Sequence, residues 1–137
     1  MTKTIRVVIA EDEAIIRLDL KESLEAEGYA VIGETGRGDE AIDLVRVLEP
    51  DLVILDIKMP GMNGIDAAKI ISDEGLAAVV LLSAFSQQDL IKKASNAGVL
   101  AYLVKPFQRS DLVPSIELAL GRFKEISGLK QETVMLR

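Results

Sequence analysis

Short apolar runs alternate with amphipathic stretches five times along this chain, and no other feature of the sequence constrains the fold as much. Five runs read as strands: Ile5–Ala10 (IRVVIA), Ala30–Thr35 (AVIGET), Leu52–Asp56 (LVILD), Ala78–Ser83 (AVVLLS) and Leu100–Val104 (LAYLV). They are rich in β-branched residues and too short for helices. VVIA, LVIL and AVVLL are hydrophobic throughout. That is the pattern of strands covered on both faces, so a parallel sheet is expected. Between the runs, Ala41, Leu44, Val45 and Leu48 recur at helical spacing on one face, with Asp39, Glu40, Asp43 and Arg46 elsewhere. Other helices are expected to begin near Ala14, Gly64, Gln87 and Asp111. Gly28, Gly75 and Gly98 follow helical stretches, where a left-handed cap suits glycine. Strict βα alternation with short right-handed crossovers predicts an α/β fold: a flavodoxin-like doubly wound (βα)5 with a five-stranded parallel sheet in the order 2-1-3-4-5.

The last helix is longer than that fold requires. Pro114 is tolerated only near a helix start, which makes Ser110 the expected N-cap and Asp111 the first helical residue. Apolar positions at Ile116, Leu120, Phe123, Ile126, Leu129 and Leu136 then carry the helical pattern past the fifth βα unit. Residues 121–137 hold a net charge of +2, against −8 for residues 1–120. The expected organisation is one domain over 1–120 and a helical extension over 121–137 leading toward an output region beyond Arg137. At 137 residues, 49% hydrophobic, the chain has room for a single core.

Composition excludes several chemistries. There is no cysteine and no histidine, which removes disulfides, thiol nucleophiles, imidazole bases and the usual zinc sites. A resident metal must be a hard cation held by oxygen. The net charge of −6 opposes direct nucleic-acid or anionic-membrane binding by this chain. No stretch is apolar enough for a membrane span or a signal core, so the expected compartment is the cytoplasm.

Ligands of open α/β sheets lie beyond the carboxyl ends of the strands, and four of the five predicted strands lead there into polar residues. Glu11, Asp12 and Glu13 follow the first, Asp56 ends the third, Ser83 ends the fourth and Lys105 follows the fifth. Each alone can be read as a cap or a solvated charge. Together they put carboxylates, a hydroxyl and an ammonium on one sheet edge. Crowded carboxylates repel unless they protonate or share a cation. Mg²⁺, bound by one or two carboxylates together with a phosphate, fits Asp12 and Asp56. Phosphoryl transfer follows, with Asp56 as the nucleophile, Lys105 pairing with the phosphoryl group and Ser83 donating a hydrogen bond to it.

These residues carry a family resemblance. The acidic pair Glu11–Asp12, Asp56 followed by MPGMNG (Met59 to Gly64), Ser83–Ala84 and AYLVKPF (Ala101 to Phe107) occur in the order, and on the elements, of the receiver domains of two-component response regulators. The chain resembles that family over about 120 residues. The resemblance implies that Asp56 accepts phosphate from a histidine kinase, with Mg²⁺ held by Asp12, Asp56 and the backbone carbonyl of Lys58 while Glu11 orients the metal shell. It implies a signalling domain rather than an enzyme, a cis Lys105–Pro106 bond, and a switch in which Ser83 moves toward the phosphate and Tyr102 turns inward. It implies an output surface on the fourth helix, fifth strand and fifth helix, which together with the C-terminal helix offers routes to a homodimer. The resemblance also implies that Lys58 and Phe85 flank the path of attacking water, where Phe85 would hinder hydrolysis and Lys58 would either shield the phosphate or pair with it, so the sequence does not set the phosphate lifetime. AEDEAIIRLDL and KPFQRSDLVPSIELALGRFKEI further resemble receivers that precede an ANTAR domain, which implies RNA-binding antitermination through a C-terminal region.

Two other readings stay open at this level. GRGDEA, Gly36 to Ala41, satisfies a dinucleotide-binding fingerprint after a strand, although Asp39 and Glu40 would repel a pyrophosphate. A receiver-shaped interaction module that works without phosphate is the second.

Overall fold

The computed structural model describes residues 3–84 and 89–135. Strands β1 (Arg6–Ala10), β2 (Ala30–Thr35), β3 (Leu52–Asp56), β4 (Ala78–Ala84) and β5 (Ala101–Lys105) alternate with helices α1 (Ala14–Ala26), α2 (Gly38–Leu48), α3 (Gly64–Asp73), α4 (Ile91–Asn96) and α5 (Arg109–Met135). All pairings are parallel, in the order β2-β1-β3-β4-β5. The hydrophobic runs therefore form the sheet their patterning predicts. Phe85, the expected helix start near Gln87, Leu136 and the side chain of Leu129 lie outside the described residues.

Alternation along the strands divides the interior in two. Val8, Ala10, Val53, Leu55, Val79 and Leu81 face α2, α3 and α4, where Val45, Ala68, Ile71 and Ala94 meet them. Val7, Ile9, Leu52, Ile54, Val80, Leu82 and Leu103 face α1 and α5, packing on Leu20, Leu24, Leu112 and Ile116. Burying each Val, Leu or Ile among them contributes about 1.5–3 kcal/mol, and β3 is buried along its whole length. Gly28, Gly75 and Gly98 adopt positive φ where the chain leaves a helix, as expected of left-handed caps.

One helix boundary departs from expectation. Helix α5 begins at Arg109, so Gln108 rather than Ser110 is the cap. The reason is a reciprocal arrangement: the Gln108 N–H donates to Asp111 Oδ2 at 3.0 Å, and the Asp111 N–H donates back to the Gln108 carbonyl at 2.9 Å. A carboxylate three residues in satisfies the entry as well as a capping hydroxyl would. Pro114 accordingly sits in the second turn. Further on, the Arg122 guanidinium donates to the Leu100 carbonyl at 2.7 Å, and Phe123 packs against the α1/α5 core. The helix thus crosses residue 120 without a break and stays docked beyond it.

Candidate functional site

Register brings the strand ends together. Ala10 pairs with Leu55, Asp56 with Leu82, Ser83 with Val104 and Ala84 with Lys105. Glu11 continues past β1 with its N–H bonded to the Thr35 carbonyl at 2.9 Å. Glu11, Asp56, Ser83 and Lys105 therefore meet at one edge of the sheet.

Glu11 is fully buried, with Asp56 and Ser83 almost so, at 0%, 3% and 5% exposure, while Asp12 is open to solvent. Lys105 Nζ lies 3.1 Å from Asp56 Oδ1 and 3.5 Å from Glu11 Oε2. Asp56 Oδ1 also accepts the Ile57 N–H at 2.9 Å, and Glu11 Oε1 accepts the Glu13 N–H at 3.2 Å. One ammonium thus faces two buried carboxylates. Burial, followed by a hydrogen bond to Asp56 and the charge of that neighbour, raises the Glu11 pKa from 4.5 to about 7. Burial works against the charge on Lys105, but its bonds to Asp56 and Glu11 outweigh that and hold its pKa above the ordinary value.

Oxygens of Glu11, Asp12 and Asp56 lie within 4.8 Å of one another. Three carboxylate donors with no nitrogen or sulfur suit a hard divalent ion such as Mg²⁺, whose charge would offset their mutual repulsion. The residues present therefore fit that ion.

The loop after Asp56 is locked in place by backbone packing. Gly64 donates to the Ile57 carbonyl at 2.7 Å, and a Cβ built on Gly64 would fall 1.9 Å from the Asp56 carbonyl oxygen. Only glycine fits where the chain passes this close. Asn63 then caps α3, its side-chain oxygen accepting the Asp66 N–H at 2.9 Å.

Comparison with known proteins gives this edge its context. The response regulator receiver domain family matches residues 7–117. This chain belongs to that family. It is 56% identical over 131 residues to the transcriptional regulatory protein PdtaR of Mycobacterium tuberculosis, a match that takes in 96% of this chain and 64% of the relative. The chain therefore spans less than two thirds of that relative's length. It is 42% identical to the chemotaxis protein CheY of Thermotoga maritima, covering 81% of this chain and 93% of CheY. Among solved structures, the signal receiver domain of the response regulator NarL from Mycobacterium tuberculosis superposes with a TM-score of 0.82 at 27% identity, over 88% of this chain and 98% of that one.

Not every residue singled out in the sequence of this receiver reaches the acid pocket. The Tyr102 hydroxyl lies 2.8 Å from Ser95 Oγ at the end of α4. The Lys58 side chain is exposed and lines a cleft of about 210 Å³ with Asn63, Asp66 and Lys93. The Lys105–Pro106 peptide is cis, as the resemblance implies. GRGDEA makes no phosphate cradle: Asp39 is paired with Arg37 at 3.1 Å, and the Gly38 N–H donates to the Pro60 carbonyl at 3.2 Å. Met62 fills the space a Cβ on Gly38 would need, its carbonyl oxygen 1.9 Å away. The glycine serves loop packing, and the dinucleotide reading falls. Just outside the pocket lies one group the sequence does not advertise: the Arg17 guanidinium, which holds the Glu11 carbonyl at 2.6 Å.

Proposed function

We propose that this receiver accepts a phosphoryl group on Asp56 from the phosphohistidine of a histidine kinase. The observation that carries the reading is the near-buried Asp56 carboxylate, 3.1 Å from the Lys105 ammonium and clustered with Glu11 and Asp12. An Asp56 oxygen attacks phosphorus, the P–N bond to the donor imidazole breaks, and an aspartyl phosphate forms. Lys105 moves its charge onto the arriving phosphoryl oxygens, and Ser83, beside it at the end of β4, donates a hydrogen bond. Asp12, Asp56 and the Lys58 carbonyl would hold Mg²⁺, with Glu11 orienting its shell. When bound, the ion neutralises the carboxylates and the phosphoryl oxygens together. Tyr102 follows Ser83, and the change reaches the surface of α4, β5 and α5, which also offers a homodimer contact.

The output is RNA-binding transcription antitermination by an ANTAR domain. The 56% identity to PdtaR, a transcriptional regulatory protein longer than this chain, supports a transcriptional output, and the resemblance of AEDEAIIRLDL and KPFQRSDLVPSIELALGRFKEI to receivers that precede an ANTAR domain makes RNA its target. In this reading the receiver spans 1–120 and the extension over 121–137 leads toward the output region; the run of α5 past residue 120 to Met135 supports it. Incubation with acetyl phosphate and Mg²⁺ tests the chemistry. Wild type gains one phosphoryl mass and Asp56→Asn gains none; an unmodified wild type would instead favour a module that works without phosphate.

A further inference from the structure

Arg17 stands outside the acid pocket yet holds its backbone. Its own N–H bonds to the Glu13 carbonyl at 2.9 Å, which opens α1. Its side chain turns back toward β1, and Nη1 donates to the Glu11 carbonyl oxygen at 2.6 Å. The same guanidinium donates from Nε to Glu34 Oε1 on β2 at 3.3 Å, and Lys21 holds the other Glu34 oxygen at 3.3 Å. Gly36 leaves the guanidinium room, since a Cβ there would come within 3.3 Å of both Arg17 Nη1 and the Asp12 Cα.

The carbonyl so held belongs to the peptide joining Glu11 to Asp12. Glu11 is fixed by burial and by its bonds to Lys105 and Glu13. Asp12 is the exposed member of the three carboxylates, and the plane of the preceding peptide fixes the direction of its N–Cα bond and so limits where its side chain can reach. A planar, two-pronged cation can bridge that carbonyl and Glu34 at once; an ammonium at the same place is a point donor.

We propose that Arg17 is a positioning residue of the metal site, clamping the Glu11–Asp12 peptide to β2 so that the Asp12 carboxylate is already placed to meet a divalent ion. This rests on the reading that Glu11, Asp12 and Asp56 bind Mg²⁺. Charge alone predicts the opposite: a cation beside an acidic cluster disfavours Mg²⁺, and removing it should tighten binding. The sign of the effect therefore decides between placement and charge.

Calorimetric titration of the full chain with Mg²⁺, together with melting in EDTA, tests the clamp. Arg17→Gln is expected to weaken Mg²⁺ binding about tenfold, the size of effect seen when an outer partner of a metal ligand is lost, and Arg17→Lys to fall between it and wild type. Without Mg²⁺, the Asp12 amide resonance should shift in Arg17→Gln, because the carbonyl of its peptide loses its donor. A Kd equal to or below that of wild type in Arg17→Gln overturns the clamp. If that variant does not fold, the same result in Arg17→Lys does so. Wild type that binds no Mg²⁺ removes the metal reading and the clamp together. Binding that Asp12→Asn abolishes and Arg17→Gln leaves intact removes the clamp alone.

Discussion

Glu11 is wholly buried, and the ammonium that compensates it, Lys105, is shared with Asp56. Its folded pKa of about 7 lies above the ordinary 4.5, so between those values the folded chain binds more protons than the unfolded one. Stability is then greatest below pH 4.5 as far as this group is concerned, falls as pH rises, and levels off above about 7. In divalent-free buffer, the unfolding free energy from urea titration should drop from pH 5 to pH 7 with a slope of at most about 1.4 kcal/mol per pH unit; Glu11→Gln should flatten the curve. Asp56→Asn removes the neighbouring charge and should raise apo stability by roughly 1 kcal/mol, read by chemical denaturation at pH 7. The acidic and basic residues of this pocket are legible in the sequence because each follows or ends a strand. Arg17 is not, since the partner that ties it to the pocket is the Glu11 main-chain carbonyl, and its side-chain partner, Glu34, lies on β2 away from the acidic cluster. A lone arginine on an amphipathic helix looks solvated until the loop beside it is seen.

Glycines separate positions that elements require from positions they merely tolerate. Gly64 has the Asp56 carbonyl oxygen 1.9 Å from where a Cβ would sit, and neither backbone can yield without moving the acceptor loop. Gly64→Ala should therefore lower stability by about 2 kcal/mol or more and slow phosphorylation at Asp56. Gly128, inside α5, has nothing within 4 Å. Gly128→Ala should raise the local helicity of the end of α5, a gain of up to about 1 kcal/mol in helix propensity, seen as stronger helical circular dichroism with little change in melting temperature. Strand positions were readable to within a residue, because continuous apolar runs bounded by polar residues admit few alternatives: β3 spans Leu52–Asp56, as its run implies, and β5 is displaced by one. The start of α5 was not readable in the same way. Ser110 and Asp111 are both competent caps, and only the position of the Gln108 N–H shows that Asp111 takes the role from inside the helix.

At the level of the whole molecule, two cores share one sheet and the acid pocket sits on the edge common to both. A ligand bound there stabilises the entire domain, so millimolar Mg²⁺ should raise the melting temperature of wild type more than that of Asp56→Asn. Equal shifts in the two proteins would count against the metal assignment. The doubly wound topology follows from the order of the apolar runs, but how far the packed body extends does not. Arg122 and Phe123 engage Leu100 and the α1/α5 core beyond residue 120. Ending the chain after Leu120 should accordingly lower the melting temperature by several degrees, while ending it after Ser127 should leave it nearly unchanged. Docking at Arg122, with the helix running on to Met135, also makes α5 a pointer. At 1.5 Å per residue the stretch past the anchor reaches about 20 Å, so a tilt of roughly 5° at the sheet would swing its tip by nearly 2 Å, a gear ratio set by length alone.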